Sequence, residues 1–169
     1  GIFVSNSHSW VGVHMNGLVR LGIDDFTQKT LGRIDSVELP VKGKKIRRGE
    51  ELFVLRHGNH RLAVPSPVSG RVIGVNTELH ERPELIGLKP YELGWVCAMD
   101  PSDLTGDLRE LRIGADAVSW YREEIDRYGE LIRTALRARE SEGKGVRNGN
   151  GDGLDDVTWE VFERAFVGR

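Results

Sequence analysis

At 169 residues and 18.9 kDa the chain has room for one domain of ordinary size, about 100–150 residues, and an appendage, which excludes a second full domain. With 24 Lys+Arg against 26 Asp+Glu and a net charge of −2, nothing global points to nucleic acid or an anionic membrane, and no nucleic-acid partner is expected. The longest apolar runs, such as Leu52–Leu55, are far short of the roughly 20 residues that span a bilayer, and a lone Cys97 excludes internal disulfides and cysteine-based metal clusters. The expected location is cytoplasmic; because Gly1 is not a start methionine, a removed upstream leader or anchor is left open.

Glycines spread among short apolar runs predict a β-rich body. Trp10 to His14 and Leu18 to Gly22 read as the first two strands, joined at Asn16-Gly17 by a two-residue hairpin turn. Asp24 is placed to cap a two-turn helix through Phe26, Thr30 and Leu31, which Gly32 ends. A third strand follows at Ile34 to Leu39. Lys42 to Arg48 form a basic loop that reads as a solvated turn, and Leu52 to Leu55 fit a strand buried on both faces. Arg61 to Val64, Gly70 to Val75 and Trp95 to Met99 complete the strands, with Cys97 a small buried side chain.

Near Ala115 the hydrophobic period changes from two to 3.6. Ala117, Tyr121, Ile125, Tyr128, Ile132 and Ala135 predict one face of an amphipathic helix, with Gly129 a point of interruption. Residues 140–153 are rich in glycine and almost lack apolar side chains, a linker composition. Within them, Asn148 to Gly153 match the first half of a calcium loop, but Trp159 stands where the closing glutamate belongs, so the linker reading is preferred. Asp155 or Asp156 is placed to cap a last helix through Phe166. Its aromatic residues Trp159, Phe162 and Phe166 must dock on the chain's own body or on a partner. The organisation expected is a body over 1–139, a linker over 140–153 and a helix over 154–169.

Several runs are familiar together. His8-Ser9-Trp10-Val11, Leu21 to Gly32, Val37-Glu38-Leu39-Pro40, Gly49-Glu50, Ser66-Pro67-Val68-Ser69-Gly70, and Pro83-Glu84-Leu85-Ile86 with Pro90 to Trp95 resemble the glycine cleavage system H protein in order and spacing over about residues 7–126. The resemblance implies a mainly β fold with α: a flattened β-sandwich of the lipoyl-domain or barrel-sandwich type, with a short N-terminal helix and C-terminal helices. It also implies a non-catalytic carrier, whose lipoate arm is joined to a lysine at the tip of a β-hairpin and carries an aminomethyl group between partner proteins.

Counting back from Ser66-Pro67-Val68-Ser69-Gly70 without a gap puts Asn59 at that lysine, and no lysine occurs between Lys45 and Lys89. A carboxamide is not a nucleophilic amine, so no lipoate is expected. Where the family has an acidic tip, this chain has Arg56-His57-Gly58-Asn59-His60-Arg61. A two-residue loop at Gly58-Asn59 opposes His57 to His60 and Arg56 to Arg61, and the two arginines repel unless something negative lies nearby.

The expectation drawn from this is a degenerate, non-lipoylated carrier fold that docks a protein partner, acidic at the contact, through Arg56, His57, Asn59, His60 and Arg61. An alternative is a working H protein modified at a non-standard residue. A remote alternative is metal handling by His57 and His60, for which two ligands are too few to make a tight site. His8 and His14 read as structural.

Overall fold

A computed structural model describes residues 1–143 and 152–167. Two antiparallel sheets face each other. The larger contains β1 (Ile2–Val4), β2 (Ser9–Val13), β3 (Val19–Ile23), β5 (Lys45–Ile46), β8 (Gly70–Val75) and β9 (Cys97–Pro101), in the order β1-β2-β3-β9-β8-β5. The smaller contains β4 (Ser36–Glu38), β6 (Glu51–His57) and β7 (His60–Pro65), in the order β4-β6-β7. Between them lie Val11, Leu21, Phe53, Leu55, Leu62, Val72 and Met99, all essentially inaccessible. This is the expected flattened sandwich.

Helix α1 (Asp25–Leu31) is capped as its sequence dictates: the Asp24 carboxylate accepts from the Thr27 N–H, and Gly32 ends the helix at φ +73°. Short helices α2 (Leu85–Leu88) and α3 (Leu104–Leu108) were not anticipated, nor were strands β1 and β5. Both strands are too short to show a period-two pattern of their own, and sheet pairing forms them. The turn at Asn16-Gly17 also differs from expectation. The His14 N–H donates to Leu18 O, which leaves a three-residue loop in which only Gly17 is left-handed.

Helix α4 (Ala115–Ser141) runs through Gly129 without a break. Its inward face is built on Trp120 and Glu124, whereas Ile125 is mostly exposed. Steps of four residues overshoot the 3.6 period by about 40° each, so a row through Ala117 and Tyr121 has left the buried face by Ile125. Helix α5 (Asp152–Phe162), continued by a π-helical turn Glu163–Val167, starts before Asp155 and Asp156, so neither caps it. Val157, Trp159 and Phe162 are buried in the chain's own core, which settles the docking of the last helix. Most of the glycine-rich stretch and of the calcium-like run lies outside the described residues. Among the described residues no helix is long and apolar enough to cross a membrane.

Candidate functional site at the hairpin tip

The β6-β7 hairpin closes in the expected register, His57 opposite His60 and Arg56 opposite Arg61, over the loop Gly58-Asn59. Gly58 alone is left-handed, at φ +54°, which fits the primed turn with glycine at its first central position. Asn59 is exposed at the apex.

Successive strand residues point to opposite faces, so the tip is two sites rather than one basic patch. On one face each arginine meets a glutamate. Arg56 pairs with Glu38 of β4, and Arg61 donates to both Glu51 carboxylate oxygens at 2.9 and 3.0 Å. The repulsion anticipated for the opposed arginines is therefore neutralised, and with it the net positive character expected of the tip. Sequence spacing gave no sign of this, because β4 brings Glu38 alongside only when the sheet forms.

The other face carries the imidazoles. His57 Nδ1 lies 3.2 Å from Asp35, whose carboxylate also accepts from the Gly58 N–H at 2.8 Å and pairs with Arg33. The Gly58 N–H, then His57 and Arg33, outweigh partial desolvation and hold the Asp35 carboxyl below its ordinary range. His60 Nε2 lies 2.6 Å from Asp156 of α5. Both rings lie nearly parallel to the Trp159 indole, with centroids 5.9 Å from it. Each imidazole is thus engaged by its own carboxylate, and among the described residues no three His, Cys, Asp or Glu side chains converge as a metal ion would require.

From the tip α5 runs to a second polar cluster. Phe162 packs against His8, Phe26 and Tyr128, with ring centroids 5.4, 6.2 and 6.4 Å away. His8 is fully buried at φ +61°, stacked on Phe26, with Nδ1 2.8 Å from Asp24 and Nε2 3.3 Å from Glu124. Carboxylates only accept, so a ring that donates to both is an imidazolium. Burial opposes that charge, but Asp24 and Glu124 outweigh it and raise the His8 pKa. Tyr121 donates to Asp24 at 2.7 Å and Arg127 to Glu124 at 2.8 Å, which completes the charge balance. The structural reading of His8 holds. Glu124 went unnoticed in the sequence because it sits on a helix with many exposed acids.

Cys97 is buried, and desolvation pushes its thiol up to about 12, far from the range of a nucleophile.

Residues 2–124 match the family model described as glycine cleavage H-protein. A probable glycine cleavage system H protein from Thermococcus gammatolerans is 38% identical over 125 residues, 74% of this chain and 92% of the relative. The glycine cleavage system H protein of Hydrogenovibrio crunogenus is 40% identical over 101 residues, 60% of this chain and 78% of the relative. Among solved structures, a glycine cleavage system H protein from Mycobacterium marinum superposes with a TM-score of 0.56 at 26% identity, covering 60% of this chain and 84% of that one. The match to the family model ends before α5 begins.

Proposed function

We propose that this chain, which belongs to the glycine cleavage H-protein family, is a non-lipoylated member that keeps the carrier fold as a non-catalytic module for docking a protein partner. One observation carries the reading: the apex of the hairpin offers a carboxamide, Asn59, and the sequence from Lys45 to Lys89 holds no lysine that a shift of register could supply. Lipoate is joined through an amide to an amine, and the residues of this tip do not fit the group. Lysine would supply a nucleophilic nitrogen on a four-carbon stem, and asparagine supplies neither.

What remains at the tip suits recognition. His57 and His60 form an aromatic, hydrogen-bonding face, and the pairing of His60 with the chain's own Asp156 on that face supports an acidic contact there. Asn59 projects at the apex between them, while Arg56 and Arg61 form an ion-paired rim. Rim pairs of this kind contribute to orientation and specificity more than to affinity.

A second reading, a working aminomethyl carrier modified at another residue, is favoured by the match across residues 2–124 and by relatives that bear the H-protein name. The intact mass of the protein purified from its native host separates the two. An unmodified mass is expected, and a mass raised by a lipoyl group would replace the first reading by the second.

A further inference from the structure

Asp156, Trp159 and Phe162 recur every third residue along α5, a spacing that keeps them close to one face of the helix. They meet the walls of one groove: Asp156 and Trp159 meet the hairpin tip, the first at His60 and the second at both imidazoles, while Phe162 meets Phe26 of α1 and Tyr128 of α4. On its α4 side Glu160 accepts from Arg139 at 3.2 Å. The body's surface is thus complementary, in shape and in charge, to an acidic aromatic helix.

We propose that this groove is a recognition site for an amphipathic helix with an acid, a tryptophan and a phenylalanine at that spacing, which α5 fills in cis and a partner's helix fills in trans. The assignment rests on the reading of the tip as a docking surface and supplies the chemistry of its partner.

Three observations support it. The occupant is visible, so the chemistry of the ligand is read from contacts rather than inferred from an empty groove. The ten residues that join α4 to α5 include four glycines and one apolar side chain, Val146, a composition with little of its own to bury against the body. And the seat is imperfect, because the buried Trp159 Nε1 finds no acceptor among the described residues. An unpaired buried donor weakens the cis complex, and a helix that arrives with an acceptor near that nitrogen gains over α5. The tethered α5 competes at an effective concentration in the millimolar range, so a partner must bind better than α5 does or be abundant.

The test uses the full chain with a specific-protease site inserted between Arg147 and Asn148, cut after folding. The probe is a fluorescent peptide with the sequence of residues 152–167, alongside the same peptide carrying Trp159→Ala. After cutting, the probe should replace the resident fragment saturably while the body stays folded by circular dichroism. The Trp159→Ala peptide should bind at least tenfold more weakly, and the uncut chain should take up the probe at least tenfold more weakly than the cut one. A fragment that exchanges only when the body unfolds would make α5 a fixed part of the core and overturn the proposal. Equal binding of the two peptides would overturn the assigned chemistry, and an uncut chain that dimerises by trading α5 between copies would make a second copy the occupant instead. The native mass reports on lipoylation independently, so a failure of either reading is seen apart from the other.

Discussion

Glu124 on α4 lies 3.3 Å from the Nε2 of His8, 116 residues earlier in the chain, and both side chains are buried. The contact ties the long helix to the N-terminal strands. His8, the one non-glycine residue with a left-handed backbone among the described residues, is held there by carboxylates on both ring nitrogens. Glu124 is itself charged: desolvation opposes ionisation, but His8 and Arg127 outweigh it and lower its pKa.

Stability should therefore fall on both sides of mildly acidic pH. The His8 contribution is complete below its ordinary value of 6.5 and is lost as pH rises through its raised folded value. That of Glu124 is present above 4.5 and is lost as pH falls through its lowered one. Glu124→Gln removes one of the two carboxylates facing His8, so the alkaline loss should be smaller and complete at lower pH. Urea midpoints measured from pH 4 to 9, with the His8 ring followed by NMR, check this; an unmoved alkaline limb would mean that Asp24 alone fixes the His8 charge.

Replacing Arg56 and Arg61 together with Gln should lower stability slightly, by about 0–2 kcal/mol in total, because each exposed ion pair contributes roughly 0–1 kcal/mol. Relief of like-charge repulsion, the expectation from sequence alone, has the opposite sign. Thermal denaturation at low and high salt decides between them, since the loss should shrink as salt screens the pairs with Glu38 and Glu51.

Trp159→Ala should cost about 3–5 kcal/mol, the usual range for a buried aromatic truncated to alanine. For a chain of this size that is a fall in Tm of roughly 6–20 °C. Unfolding should stay cooperative, because the two sheets also pack on each other through residues of their own strands, Val11, Leu21, Phe53, Leu55, Leu62 and Val72 among them. A chain ending before Ser141 should behave in the same way, and loss of a sharp calorimetric transition would instead make the last helix essential to the fold.

Asn59→Lys supplies an amine at the exposed apex, yet it should be modified poorly by a lipoate ligase, because α5 stands beside the imidazoles that flank it. Adding Trp159→Ala should raise the modified fraction, read as the mass shift after incubation. Full modification of Asn59→Lys alone would mean that the missing lysine is the only departure of this tip from a carrier.

Much of this protein is decided locally. The cap at Asp24, the turn at Gly58-Asn59 and the run from Leu52 to Leu55 fold as written, because each depends on dihedral preference, a hydrogen bond three residues away or simple apolarity. The absence of an amine at the tip is likewise a fact of sequence that folding cannot alter. The charge of that tip, however, belongs to the tertiary structure. Asp35 and Glu38 reach the tip from the β4 segment, Asp156 from α5 and Glu51 from the far end of β6, and a run of residues read alone counts its own arginines and histidines but not the carboxylates that folding brings beside them. The seat of α5 was hidden for the same reason: the aromatic stripe announced that the helix must dock, but the groove that receives it is assembled from β7, α1 and α4, which meet only once the sandwich has closed.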